Sequence, residues 1–184
     1  MAQLPGVVFR RAGFEDARSV ARLHADSWRR HYRGAYADAF IDGDVESDRL
    51  LVWTERLSAP DGTSSTILAE DGGCLIGFVH VIFDENVQVS SLIDNLHVVF
   101  DRKRAGVGTH LMSHAAAAVA GHGSGGMYLW VLEQNTAAQD FYEDRGGTCT
   151  GRRLVSPPGG VAGRLNGSPV ALRYVWADPA LLIV

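Results

Sequence analysis

The sequence has 184 residues, of which 46% are hydrophobic and 21% are charged, and its formal net charge at pH 7 is -4. This length is enough for the core of one domain and short for two, so we predict a single domain over residues 1–184. The acidic balance argues against a general nucleic-acid binder, which usually carries a basic surplus.

No segment of the sequence predicts a membrane or secreted protein. The first residues lack the apolar run of a signal peptide, and no stretch approaches the roughly 18 apolar residues of a membrane span. We therefore expect a cytoplasmic protein with no membrane partner. Cys74 and Cys149 show no CxxC spacing, so neither a disulfide framework nor a metal site is predicted.

In chain order, the first half predicts a strand, two helices and three strands. An apolar, β-rich segment at 6–12 predicts the first strand. Apolar residues recur at helical spacing over 13–34 and over 45–57, which predicts two helices. Three strand-like segments follow, with a hairpin signal between the first two, at 66–70, 74–84 and 89–99.

The second half predicts helices and strands in alternation. A helix begins at a glycine pair and runs to about residue 120, and a strand follows at 127–133. The remaining predicted elements are a short helix at 135–147 and two strands at 148–155 and 170–178, which flank a loop at 156–169. Hairpins imply antiparallel pairs of strands, and the strand–helix–strand unit implies a parallel pair. We therefore predict a mixed α/β sheet with helices on both faces.

Three basic residues stand directly before the glycine pair in this acidic chain: Arg102, Lys103 and Arg104 precede Gly106 and Gly108. A helix start leaves backbone N–H groups free at its positive end, and glycine lets a ligand approach them closely. This pattern indicates a phosphate site. It is neither a P-loop nor a dinucleotide fingerprint, because both spacings are absent.

The segment from Lys103 to Gly108 resembles the (Q/R)xxGx(G/A) pyrophosphate loop of the GNAT superfamily of acetyl-CoA-dependent N-acetyltransferases. Lys103 stands where the family usually has Gln or Arg, so the charge is kept without the planar donor fork. A second family segment follows about 30 residues later. Its matching residues are Asn135, Ala138, Phe141, Tyr142 and Gly146, with Gly147 in place of the usual Phe.

The resemblance covers nearly the whole chain and implies a central mixed sheet of about seven strands. Parallel strands 4 and 5 would splay apart, with acetyl-CoA as co-substrate between them and no metal. Leu96 and Val98 would then offer backbone groups to the pantetheine arm and the acetyl carbonyl. The pyrophosphate would be held at the loop, by Lys103, Arg104, Ala105, Gly106, Val107, Gly108 and Thr109. Asn135 would contact the cofactor arm, cap its helix, or do both.

The resemblance also implies that Tyr142 is the general acid that protonates the leaving thiolate, because a phenol stays protonated at pH 7. The alternative is that Tyr142 only packs beside Phe141. The base is open among four residues near the central strands, namely Asp94, Glu70, Glu133 and His97. Asp94 is our candidate, and strict alternation would place His97 on the face opposite Asp94, Leu96 and Val98, in a packing role.

The acceptor side would be built from the first two helices. Trp28 and Tyr32 are the candidate substrate residues, and the arginines at 29, 30 and 33 either join them around an acidic acceptor or face solvent. The loop at 156–169 closes over this pocket or mediates a contact between two copies.

The function implied is acetyl transfer from acetyl-CoA to a primary amine, with a small-molecule acceptor favoured and a homodimer possible. Two alternatives stay open, a protein or peptide N-acetyltransferase and a non-catalytic acyl-CoA-binding module on the same fold.

Overall fold

The structure is a computed structural model that describes residues 4–58, 61–86 and 90–183. Within these ranges the chain forms seven strands and five α-helices. The strands are β1 Val7–Arg11, β2 Ser64–Asp71, β3 Cys74–Asn86, β4 Ser90–Val98, β5 Gly126–Leu132, β6 Thr148–Leu154 and β7 Val170–Trp176. The helices are α1 Ala17–His31, α2 Asp38–Asp42, α3 Val45–Ser58, α4 Val107–His122 and α5 Thr136–Glu143.

All seven strands belong to one sheet in the order β1-β2-β3-β4-β5-β7-β6. Neighbouring strands are antiparallel except β4 and β5, which are parallel. The predicted mixed sheet, with α4 as the crossover between its parallel strands, is therefore confirmed.

The predicted elements agree with the structure apart from one helix and a few boundaries. The short helix α2 was not predicted, because five residues are too few to show a helical period. The first helix begins later than predicted, since a turn of 3-10 helix at Phe14–Asp16 precedes α1. Residue 89 of the predicted fourth strand lies outside the described residues.

Helices cover both faces of the sheet. On one face, small and apolar residues of α4, including Leu111, Ala115 and Ala116, pack on β2 to β5. On the other face, α1 and α3 bury Val20 and Trp53 against the sheet. None of the helices in the described ranges has both the length and the apolar character needed to cross a bilayer.

The parallel pair is short, and this opens the sheet in its middle. Among the described residues, backbone pairing between β4 and β5 runs from Ser90 to Leu92 on one strand and from Gly126 to Tyr128 on the other. Beyond these residues β4 still pairs with β3 and β5 still pairs with β7, but β4 and β5 no longer pair with each other. We call this opening the fork; it matches the predicted splaying of strands 4 and 5.

Candidate active site

A β-bulge shapes the β4 side of the fork. Asn95 pairs with His80 while Ile93 pairs with Val81, so Asp94 is an extra residue on β4. A bulge bends its strand and re-aims side chains. Asp94 consequently forms an ion pair with Arg56 of α3 at 2.8 Å.

Because of the bulge, the prediction from strict alternation is right for His97 relative to Leu96 and Val98 but wrong for His97 relative to Asp94. His97 bonds Ser27 of α1, so it lies on the same face as Asp94, whereas Leu96 and Val98 pack into the cluster beneath α4. One inserted residue reverses the facing of every residue after it, and the sequence shows no sign of the insertion.

The start of α4 has the free backbone donors that the glycine pattern predicts. Gly106 caps the helix with a φ of 85°, a left-handed conformation that favours glycine. The first helical bond runs from the His110 N–H to the Gly106 carbonyl. No described group accepts a hydrogen bond from the N–H groups of residues 104–109.

Two basic side chains lie beside this helix start. Lys103 Nζ is 2.7 Å from His31 Nε2, which ties the loop to the end of α1. Arg145, which the sequence analysis did not single out, contacts Thr109 Oγ1 through Nε at 3.1 Å and Nη2 at 2.9 Å. It occupies a variable position of the second motif, so only its packing reveals it.

The predicted cofactor residues of β4 line the open edge of the fork. Leu96 pairs with Val79 and Val98 with Gly77, both on β3, so the edge of β4 that faces β5 is free of strand partners there. Asn135 caps α5, and its Oδ1 accepts a hydrogen bond from the Ala138 N–H at 3.3 Å.

Tyr142 is buried in the core under α4. Its ring packs against Tyr174 and Trp176, with centroids 5.9 Å away in each case. No described group hydrogen-bonds its hydroxyl. Burial raises the pKa of Tyr142, and Tyr32 raises it further. A phenol in this environment stays protonated at neutral pH.

A cavity of about 270 Å³ opens at the fork. Both strands of the fork contribute to its wall, with Ile93 to Asn95 from β4 and Trp130 and Leu132 from β5. Residues of α1, α3 and β6 complete it. We call this the acceptor cavity.

Aromatic rings form one side of the acceptor cavity. Trp28 stacks on Tyr32 at 5.4 Å and meets Tyr36 edge-on at 4.9 Å. Burial raises the pKa of Tyr32 to about 12, and the charge of Asp94 adds to this effect. The two predicted substrate residues, Trp28 and Tyr32, therefore lie together in one wall.

The arginines beside these rings in sequence do not line the cavity. Arg29, Arg30 and Arg33 pair with carboxylates outside it, those of Glu46, Asp26, and Asp38 and Asp42. Of the two predicted possibilities, the structure supports arginines that face the surface.

Three other arginines line the cavity instead. Arg49 pairs with Asp48 and lies over the Trp28 ring at 4.3 Å. Arg56 pairs with Asp94, and Arg153 of β6 lies over the Trp130 ring at 4.1 Å. The sequence analysis missed all three because they come from distant elements and share no motif.

Of the four candidate bases, Asp94 is the one that lines the acceptor cavity. Glu70 pairs with Arg10 on the β1–β2 edge, and Glu133 pairs with Arg152. Burial lowers the pKa of His97 to about 3, with nearby charges contributing less, which agrees with the predicted packing role.

The loop at 156–169 docks on the connection between α1 and α2. The Ala37 N–H donates to the Arg164 carbonyl at 3.1 Å, and the Asn166 N–H donates to the Ala35 carbonyl at 2.9 Å. Ser156, the first residue of this loop, lines the cavity beside Val155, the residue before it. The loop therefore contributes to one side of the cavity wall.

Free donors for a diphosphate lie at one end of the open β4 edge, and an acceptor cavity lies at the other. A ligand that spans both must carry phosphate at one end and its reacting group far from it, as an acyl thioester of coenzyme A does. This geometry defines the class of coenzyme A-dependent acyltransferases. In the described residues no cluster of His, Cys, Asp and Glu is arranged to hold a metal ion.

Comparisons with known proteins agree with this class. A family model described as acetyltransferase (GNAT) family matches residues 20–147. A probable N-acetyltransferase of Mycobacterium tuberculosis is 30% identical over 150 residues, which cover 78% of this chain and 80% of that protein. The chain belongs to the GNAT family and is an acetyl-CoA-dependent N-acetyltransferase.

Solved structures share the fold. The paiA N-acetyltransferase of Thermoplasma acidophilum, in complex with coenzyme A, has a TM-score of 0.69 at 16% identity, covering 92% of this chain and 99% of that one. A mutant spermidine N-acetyltransferase of Vibrio cholerae has a TM-score of 0.65 at 18% identity, covering 96% of each chain.

Proposed function

We propose that this protein acetylates a primary amine of a small molecule, that Tyr142 is its general acid and Asp94 its base, and that residues 1–184 form one catalytic domain. The observation that carries the proposal is the acceptor cavity at the fork. Its volume of about 270 Å³ is near the lower end of the roughly 300–1,000 Å³ typical of small-molecule sites. A peptide acceptor would need an open groove, whereas this cavity is bounded by residues of α1, α3, β4, β5 and β6.

The residues at the fork fit acetyl-CoA, which supplies an activated thioester carbonyl when bound. The free N–H groups of 104–109 and the guanidinium of Arg145 would hold the diphosphate. The open β4 edge at Leu96 and Val98 would bind the amide groups of the pantetheine arm. Asn135 would contact this arm with the amide group that its cap bond leaves free.

Proton transfers accompany the exchange of bonds. As the amine nitrogen bonds to the carbonyl carbon, the carbon–sulfur bond breaks. The ammonium form of the acceptor must first lose a proton, which Asp94 in the cavity wall would accept. The leaving sulfur would gain a proton from Tyr142, whose hydroxyl burial keeps protonated. The attacking nitrogen loses its second proton as the amide forms, and this proton would return to the Tyr142 phenolate.

The first test is the substitution Tyr142→Phe. We expect turnover to fall by roughly 10- to 1000-fold while the affinity for acetyl-CoA stays the same, because only the proton donor is lost. Thiol release in an amine panel measures turnover, and calorimetric titration measures affinity. Tyr174→Phe is the matched control, since it removes a hydroxyl from the neighbouring core tyrosine that bonds Glu143 instead.

Two outcomes would contradict the proposal. Unchanged turnover in Tyr142→Phe would remove the acid role of this residue. Binding of acetyl-CoA without transfer to any amine in the panel would favour a non-catalytic acyl-CoA-binding module. Spermidine belongs in the panel because a structural neighbour carries the name spermidine N-acetyltransferase.

A further inference from the structure

Positive charge exceeds negative charge around the acceptor cavity. Arg49 and Arg164 share the carboxylate of Asp48, and Arg56 pairs with Asp94. Arg153 forms no ion pair with any described residue and is held only over the Trp130 ring. Among the residues that line the cavity, three guanidinium groups, those of Arg49, Arg56 and Arg153, therefore face the one carboxylate of Asp94.

This excess has a consequence for the acceptor. Arg49 is buried, so its charge is screened less than a charge on the open surface, whereas Arg153 lies on the exposed strand β6 and is reached by solvent until a ligand covers it. A polycationic amine would meet uncompensated repulsion here, whereas an acidic group would be attracted. The planar fork of Arg153, stacked on an indole, is suited to bind a carboxylate through two parallel bonds.

A buried histidine supplies a second, uncharged donor. His24 is 1% exposed and contributes to the cavity wall. Its Nδ1 accepts a hydrogen bond from the Trp53 indole N–H at 3.0 Å, and an indole nitrogen can only donate. The ring proton must then be on Nε2, which is buried without a hydrogen-bond partner.

An unpartnered buried donor costs free energy unless a ligand or water satisfies it. Arg153, which has no ion pair among the described residues, and the Nε2–H of His24 are both donors. The aromatic side of Trp28, Tyr32 and Tyr36 is suited to the apolar body of an acceptor rather than to its charge.

Resting on the proposed function, we propose that the acceptor is an amino acid or a similar amine that carries a carboxylate. Arg153 binds the carboxylate, and the aromatic wall holds the side chain. Asp94, which also pairs with Arg56, is then the carboxylate that contacts the amine. The site selects against amines that carry no acidic group.

The test compares acceptors that differ only in the carboxylate. L-phenylalanine is paired with phenethylamine, L-tryptophan with tryptamine and 4-aminobutyrate with propylamine, and spermidine represents the polycations. In at least one pair we expect kcat/KM to be ten or more times higher for the acid, and spermidine to be the poorest acceptor.

The variant Arg153→Gln identifies the residue responsible. It should lower the acid-to-amine ratio of kcat/KM about tenfold, which corresponds to one charge-assisted hydrogen bond. Arg152→Gln is the matched control, since Arg152 is adjacent on β6 but pairs with Glu133 outside the cavity. The ratio should not change in this variant.

Binding without catalysis separates this inference from the proposed function. Phenylacetate and indoleacetate have the ring and the acid but no amine, so they report on the cavity in titrations even if no transfer occurs. They should bind the wild-type protein and bind Arg153→Gln at least ten times more weakly. Three results would overturn the inference. The first is that neither acid binds the cavity, and the second is a higher kcat/KM for the amines or for spermidine than for the acids. The third is an unchanged acid-to-amine ratio of kcat/KM in Arg153→Gln. Failure of acetyl-CoA to bind would overturn the proposed function instead.

Discussion

Arg145 shows how a single side chain can extend a site defined by backbone. Its guanidinium reaches across from the end of α5 to Thr109 at the start of α4 and lies over the Phe141 ring at 5.1 Å. In this position it adds a full positive charge to the partial charges of the free N–H groups.

We therefore expect Arg145→Gln to raise the Kd of coenzyme A about tenfold and to weaken its dependence on salt. Pantetheine, which lacks the diphosphate, should bind the variant and the wild type equally. Calorimetry at two salt concentrations measures both effects. Arg22→Gln, at an exposed position of α1, is the control variant. An equal loss for pantetheine would show that Arg145 supports the structure rather than the phosphate.

At the scale of residues, the sequence predicts those site residues that a backbone conformation requires, and it misses those whose roles depend on how the elements pack. The glycine pair and Asn135 were predicted because a helix start and a helix cap need particular residue types. Arg145 and Arg153 were not, because their roles depend on which elements pack together. Asp94, our candidate base, lines the cavity, but alternation placed it on the same face as Leu96 and Val98, since a bulge has no sequence signature.

At the scale of elements, α1 and α3 pack over three buried histidines. His97 Nδ1 lies 2.8 Å from Ser27 Oγ, and His80 Nδ1 lies 2.8 Å from Thr66 Oγ1. Burial lowers the pKa of His80 to about 4 and of His97 to about 3, and it lowers the pKa of His24 as well. All three are neutral in the folded protein at pH 7.

This packing predicts a pH-dependent stability. The unfolded chain takes up protons on these histidines below about pH 6.5, while the folded chain does not until a much lower pH. The free energy of unfolding should therefore be constant above this pH and fall below it, by up to about 1.4 kcal/mol per pH unit for each histidine. Urea unfolding at pH 7, 6 and 5 measures the change.

The variant His80→Gln tests the assignment, because glutamine can keep a hydrogen bond to Thr66 but does not titrate. The slope of the free energy of unfolding against pH should decrease by the contribution of about one proton taken up on unfolding. Asp16 does not contribute to the pH dependence between pH 7 and pH 5. Its pKa is lowered by Arg10, so its contribution to stability is lost only in stronger acid. A free energy that is flat from pH 7 to pH 5 would contradict the buried neutral histidines.

The elements themselves were largely predictable. Each long helix and strand has enough residues to show its period, and β2 and β3 carry a strong hairpin signal between them. The strand β6 was predicted as well, although all seven of its residues are exposed at the edge of the sheet.

At the scale of the whole molecule, the fork divides the sheet. Strands β1 to β4 lie on one side and β5, β7 and β6 on the other, and in the described part of the chain the backbone ladder joins them through the pairing of Ser90–Leu92 with Gly126–Tyr128. The core under α4 continues across the division, because it contains both Val79 of β3 and Leu129 of β5. Side-chain packing, more than the backbone ladder, therefore holds the two halves together.

Backbone amides at the division should exchange with deuterium sooner than amides within either half, because each strand there lacks one neighbour. Added acetyl-CoA should slow exchange at 93–98 and 129–132 by tenfold or more and leave the β1–β2 hairpin unchanged. Hydrogen exchange read by mass spectrometry gives this comparison. Equal slowing in all strands would mean that the sheet opens only as one unit.

Because the fork divides the sheet, a ligand bound in it would contact both halves. Without a ligand in the fork, we expect the two halves to move relative to each other about the short parallel pairing. A bound pantetheine arm would connect them and restrict this movement, and the movement would return when the product leaves. A covalent cross-link between the two halves should therefore slow product release, and with it turnover, while leaving the chemical step unchanged.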